Sequence, residues 1–480
     1  MGVRLLAAPV SPLSDLSFFS RCYAQLTQKK LPLRHPLRLR VVQGSLSPVD
    51  ACLAVLDGAS LSVGAEEGKL IEVNPESKAV LRAMNDLHRN WFPSDDVVFS
   101  SPQCGERCPY ADFLHDGSEA ALHVTRALLT ENARFSEVVT GESGMEALRS
   151  RGPIENNTQA LNRVFLGNSV TTVPDDSPVP LDVELVQFGD LLGVRKISLN
   201  PRKGLAVTKS NTAGSRPNEF PIHGSLGGGI LGTKSYMLLN MGRPDANSMN
   251  GGLVLPRRWA KSLLKDLLCR DVPVIRSSDA ISFVETAGTK DTPPFRTSAS
   301  CMQCHGTMDP LSGVARNVVY TYTPGYAESS IGSSKQISPQ IYAFPTNLPP
   351  ENGTVDLDPD FYRRPTSGRL YFRNLQGELV NIPIQGIASL GQRLAESDDF
   401  YACAASRYFQ FFTGIQVNMD DPGADGHAVM SKTEKKYRDM VIHWGSELKA
   451  HQSLHRLFRT IMESDTYRSS SYTDTELAGG

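Results

Sequence analysis

The sequence predicts a mainly α-helical protein with long loops and one small β-hairpin. Three observations predict it. Several stretches repeat apolar residues at helical spacing behind recognisable helix starts. Residues 150–220 are rich in Pro, Asn, Ser, Asp and Thr and show no sustained periodicity. Arg369-Leu-Tyr-Phe372 and Leu379-Val-Asn-Ile382 flank a Gln-Gly turn, the pattern of a hairpin.

Each element follows from local chemistry. Residues 1–95 read as an N-terminal helical module. Ser47-Pro48-Val49-Asp50 is a helix start, with a serine cap and proline in the first turn, and Gly58 is its stop. Pro75-Glu76 opens a second helix that carries Val80, Leu81, Met84 and Leu87 and ends before Pro93. Residues 96–150 form another helical module. Cys104-Gly-Glu-Arg-Cys108 is a tight loop, and Ala121, Val124, Leu128 and Leu129 fall at helical spacing over 118–131. Phe135, Val138 and Val139 make a short apolar turn closed by Gly141. Residues 151–220 read as a loop-rich insertion or linker around one strand pair, 183–188 with 194–199.

Residues 221–340 form the central domain. Gly227-Gly228-Gly229 is a flexible entry, and no Gly-Lys-Ser follows it to make a phosphate loop. An amphipathic helix over 257–269 turns Trp259, Leu263, Leu264 and Leu267 inward. Residues 320–385 read as loop-rich up to the hairpin. The hairpin and a C-terminal helical domain occupy 341–480. Asp398-Asp399 sit in the first turn of a helix that carries Tyr401, Ala404, Ala405, Tyr408 and Phe412 and stops at Gly414. One last long helical stretch runs over 432–467.

The chemistry lies in Cys301-Met302-Gln303-Cys304-His305. Cys-x-x-Cys-His is the attachment pattern of a c-type haem. Two cysteines three apart lie on one side of a helical turn, so both thiols can add to the two vinyl groups of one haem. The adjacent histidine supplies the proximal axial ligand. With 8 Cys and 10 His in 480 residues, the pattern is expected by chance about 0.003 times. Two other readings of the motif exist. A structural zinc site needs a second ligand pair, and only Cys104-x-x-x-Cys108 offers one, far upstream. A redox dithiol wants a βαβ setting, which the surroundings of residue 301 lack. The expected architecture is therefore a set of helical modules around a mono-haem cytochrome c-like domain, with one covalent haem c.

Composition bounds the rest. An apolar content of 40% and a charged content of 21% are those of a globular protein, and a net charge of −2 gives no footprint for nucleic acid. Arg21, Lys29, Lys30, Arg34, Arg38 and Arg40 cluster near the start, as a solvated face or as a docking patch for an acidic partner. No apolar run of membrane-spanning length exists, so no transmembrane segment is encoded. The N-terminal apolar stretch is a poor signal peptide, short and broken by Pro9 and Pro12. Haem is attached to such motifs on the outer side of bacterial cytoplasmic membranes. A mature or trimmed chain, periplasmic or cell-surface, is the expectation. Six further cysteines fit an oxidising compartment. Pairing neighbours gives Cys22 with Cys52, Cys104 with Cys108 and Cys269 with Cys403; buried free thiols are the alternative for any pair.

Ser300-Cys-Met-Gln-Cys-His-Gly-Thr-Met-Asp-Pro-Leu311 resembles the Cys-x-x-Cys-His-x-x-Met-Asp-Pro-Leu core of the planctomycete-type cytochrome c-like proteins. These carry tandem uncharacterised domains around a single haem motif. Residues 126–141, 230–251, 263–273, 400–415 and 454–468 are similar to that family's helical segments, less specifically. The loop at 273–294 lacks the family's proline run, and 150–220 has no counterpart. The resemblance implies a compartment and a cofactor more than a reaction.

An electron-transfer haem usually takes a second axial ligand, often methionine. Met308 lies three residues past His305, on the same side of the iron. Asn240-Met241-Gly242-Arg243-Pro244 presents Met241 on a turn, which makes it the first choice; Met249, Met419, His427 and His443 are alternatives. Three functions compete. An exported cytochrome would pass electrons to a redox partner protein or serve in a larger envelope assembly. A haem enzyme, a peroxidase or oxygenase, would need an open distal site with a base such as His223. A structural cell-surface protein would use haem as a fold element.

Overall fold

The structure is a computed structural model. It describes residues 12–64, 67–93, 119–151, 188–197, 220–221, 226–233, 236–237, 240, 256–284, 294–316, 318–324, 337–343, 365–426 and 429–469. The protein is mainly helical, with small antiparallel sheets.

The N-terminal helices are α1 (Asp15–Thr27), α2 (Pro36–Val42), α3 (Pro48–Asp57) and α4 (Pro75–Arg89). Ser14 caps α1 by accepting from the Ser17 amide, and Ser47 caps α3 by accepting from the Asp50 amide. Asn74 and Ser77 close a capping box on α4. Then come α5 (Glu119–Leu129), α6 (Glu137–Thr140), β1 (Gly144–Arg151) and β2 (Phe188–Ile197). The central region holds β3 (Phe220–Pro221), a 3₁₀ turn at Gly229–Gly232, α7 (Arg257–Leu268), α8 (Ser277–Ala280) and α9 (Ala299–Ser312). Strands β4 (Val318–Pro324), β5 (Ile337–Ala343), β6 (Ser367–Arg373) and β7 (Leu379–Gln385) follow. The chain closes with α10 (Gly386–Glu396), α11 (Asp398–Thr413), α12 (Lys432–His451), α13 (Leu454–Glu463) and α14 (Asp465–Arg468).

The expected hairpin is present: Leu370 pairs with Ile382 and Phe372 with Val380, around a left-handed Gly377. The helices at 48–57, 75–89, 257–268 and 398–413 also stand as expected, with Trp259, Leu263, Leu264 and Leu267 all buried. Four expectations need correction. Phe188 and 194–197, expected on two paired strands, lie on one strand: β2 continues through Gly189 and Gly193 and pairs with β1, Val194 opposite Ala147, while 183–187 and 198–199 lie outside the described residues. Residues 318–324 and 337–343, read as loop, are strands, with β5 central between β3 and β4. The last helical stretch is three helices, because Gln452 turns left-handed and Ser453 and Ser464 cap new starts. Gly227-Gly228-Gly229 is no flexible entry. Its three residues have positive φ, and a Cβ on Gly229 would lie 2.1 Å from the Val138 carbonyl oxygen.

One contiguous apolar core runs from Phe18 to Tyr467. Helix α1 packs on α3 and α4, and α13 reaches back onto α3. The Phe18 ring meets the Tyr467 ring edge-on at 5.0 Å, the Tyr467 hydroxyl donates to Gln25 at 2.8 Å, and Arg21 donates to the Tyr467 carbonyl at 2.9 Å. Of the basic cluster near the start, Arg21 thus serves this internal seam, and Lys29 donates to the Pro75 carbonyl. A buried His88, between Thr125 at 2.8 Å and the Tyr408 hydroxyl at 2.7 Å, joins α4, α5 and α11; burial drives its pKa down to about 3.

Two cysteine pairs stand at disulfide distance: Cys22 with Cys52 at a Cα separation of 6.1 Å, and Cys269 with Cys403 at 5.3 Å. Cys104 and Cys108 lie outside the described residues. Beside the second bridge, Arg270 donates to Asp399 at 2.9 Å, and both side chains are only 2% exposed. Bridge and ion pair together fix the end of α7 to α11. Among the described residues no helix is long and apolar enough to cross a membrane.

Candidate functional site

The motif lies on α9. Met302, Gly306, Thr307 and Leu311 form its buried side, while Cys301, Cys304 and His305 share the half-exposed one. Met302 enters a small apolar cluster with Ile275, Ala280 and Tyr371, separate from the main core. Gly306 lets α9 approach Phe283; a Cβ there would meet the ring at 3.0 Å. Met308 packs against the main core, which fits its exclusion as an opposite ligand.

Among the described residues, Cys301 and Cys304 are the cysteines without a bridge. Burial raises the Cys304 thiol pKa, with Lys261 pulling the other way.

His305 is held on one side only. Its Nδ1 lies 3.1 Å from Asp309 Oδ1, one helical turn on. Arg257, in the first turn of α7, donates from Nε to Oδ1 and from Nη2 to Oδ2 of the same carboxylate, the latter at 3.0 Å. A carboxylate receiving both arms of a guanidinium can only accept from the imidazole. Nδ1 therefore carries a proton, so in the neutral ring the lone pair is on Nε2, which has no protein partner among the described residues. The Phe295 ring lies 4.3 Å from the imidazole, centroid to centroid, and Arg257 lies over the far ring. Phe283, Val284 and Phe295 are apolar yet only partly buried beside the motif.

A second polar cluster steadies α9 from the C-terminal side. Asp425 accepts from the Ser277 amide at 2.6 Å and from Gln303 Nε2 at 3.0 Å. Arg276 grips Asp421 through Nε at 2.7 Å and Nη2 at 2.8 Å, and Arg373 grips Asp279. The Ser277 hydrogen bond and amide hold Asp425 below the usual carboxylate range. Gln303, the residue between the two cysteines, is tied to this cluster.

These residues fit a haem better than a bare metal ion. Two unbridged thiols and an imidazole with a free Nε2 are the groups that bond a c-type haem, and partly uncovered apolar side chains lie beside them. No three His, Cys, Asp or Glu side chains converge as an ion site among the described residues. Of the residues named as second ligands, Met241, Met249 and His427 lie outside the described residues, as does His223. Met419 is buried in the main core, and exposed His443 pairs with Glu447 at 3.6 Å. Asp309, Arg257 and Phe295 were not singled out from sequence. Asp309, four residues past His305, was the readable signal; Arg257 and Phe295 reach the motif only through the fold.

No family model matches the chain, and no curated protein or solved structure matches it.

Proposed function

We propose that this protein is an exported c-type cytochrome with one covalent haem, which passes electrons to a redox partner or an envelope assembly. One observation carries the reading. Cys301 and Cys304 stay unbridged on the same side of α9 as an imidazole whose Nδ1 is already committed, while the other four described cysteines pair. Bound haem would supply one-electron chemistry. Cys301 and Cys304 would hold it, and His305 would offer Nε2 to its iron. Asp309 keeps the Nδ1 proton in place, and Met302 anchors the helix. Two disulfide pairs suit an oxidising compartment, which supports the periplasm or cell surface. Met241 is our choice for the opposite ligand, and the resemblance to planctomycete-type cytochrome c-like proteins is part of the same reading.

The test is expression with c-type maturation. The purified protein should stay coloured after denaturation, and the Cys301→Ala, Cys304→Ala double variant should not. Covalent haem in that variant would overturn the assignment. Carbon monoxide should bind the Met241→Ala variant but not the wild type. Ready binding to the wild type would favour a haem enzyme with an open distal site.

A further inference from the structure

The geometry points to a positioning pair, Asp309 and Arg257, that sets the tautomer and donor strength of His305; this rests on the haem reading for its consequence but not for its geometry. A histidine that ligates a metal through one nitrogen is oriented by what its other nitrogen bonds, and a carboxylate in that place makes the imidazole a stronger donor. Asp309 is such a carboxylate, 3.1 Å from Nδ1. It sits one turn along the same helix, so His305 cannot rotate without losing it.

Arg257 gives the arrangement its second level. The guanidinium comes from α7, a different element, and donates to both carboxylate oxygens. It fixes the carboxylate plane and withdraws part of its charge from the imidazole. The Asp309 side chain is 12% exposed, so water competes weakly for it. Phe295 closes over the imidazole and limits its tilt. Lys261 acts on Cys304, the neighbour of His305, and Arg296 lies over the Phe295 ring; Asp309 is the carboxylate in contact with the His305 imidazole. In the neutral ring this arrangement puts the proton on Nδ1 and leaves the Nε2 lone pair for a metal.

Two measurements on the full chain decide it. In the haem-free Cys301→Ser, Cys304→Ser protein at alkaline pH, ¹⁵N spectra should show His305 protonated at Nδ1. Asp309→Asn should convert this to a mixture of both tautomers, and Asp309→Glu should restore the single form. A wild-type His305 protonated at Nε2, or an unchanged tautomer in Asp309→Asn, would overturn the proposal. In the haem-loaded protein, Asp309→Asn should raise the midpoint potential and Arg257→Met should lower it, since one weakens and the other strengthens the acceptor. Shifts of the same sign would mean general disruption and would also overturn it. Failure to attach haem would defeat the proposed function while leaving the tautomer result to judge Asp309.

Discussion

Replacing Arg270 by methionine tests an ion pair that is buried on both sides. Arg270 and Asp399 meet at 2.9 Å, each 2% exposed. Removing one partner of such a pair leaves a buried charge and costs about 3–5 kcal/mol. The size of the loss should depend on pH. Burial raises the Asp399 carboxyl above its ordinary value, although Arg270 pulls it down. Without Arg270 the rise is larger, and the fold then prefers the neutral acid. A raised folded-state pKa contributes stability below the unfolded value, near pH 4, and loses it as pH climbs through the folded value. Arg270→Met should therefore lose the full 3–5 kcal/mol at about pH 7 and much less toward pH 4. Urea unfolding followed by circular dichroism, with disulfides intact, measures both. The double variant Arg270→Met, Asp399→Leu should recover most of the loss, because an apolar pair needs no counter-charge. A loss below about 1 kcal/mol at neutral pH, or one equal at both pH values, would refute the reasoning.

The remaining predictions concern packing and thiols. Gly391→Ala should destabilise by about 3 kcal/mol, because its Cβ would lie 1.8 Å from the Val139 carbonyl oxygen and 2.8 Å from the Gly228 Cα. A thermal melt matching the wild type would show that α10 does not sit there. In protein made without haem maturation, alkylation without reductant should label Cys301 and Cys304 and spare Cys22, Cys52, Cys269 and Cys403. Labelling of those four would refute both bridges.

What the sequence made legible was local. Caps, stops and apolar spacing located α3, α4, α7 and α11 because each carries its signal within a few residues. The Cys269–Cys403 bridge was reached by pairing neighbours in sequence order, and it joins helices 134 residues apart. Pairing partners of strands were less readable. Met145 and Ala147 are buried while Glu146 is not, yet Glu-Ala-Leu-Arg reads equally as helix, and β2 joins it only after a long intervening segment. Val318-Val-Tyr-Thr-Tyr carries β-branched and aromatic residues that a strand favours, so the signal for β4 is present in the sequence. The three glycines at 227–229 looked flexible because glycine composition cannot distinguish a loose hinge from a close backbone approach. Within the site, Cys301, Cys304 and His305 were legible as a motif. Arg257 was not, since only the packing of α7 on α9 brings it to Asp309.

The seam around Tyr467 joins the first and last helices of the described chain. Phe18, Arg21 and Gln25 find their partners in the last helix, more than 440 residues later. Contacts so far apart in sequence form slowly, because the chain between must be gathered first. Those contacts cannot form before α14 has been synthesised, and α9 precedes it by about 150 residues. Cys301 and Cys304, half-exposed on α9, lie outside that seam and should be reachable both before and after it closes. Substitutions at Tyr467 should slow the final closing step.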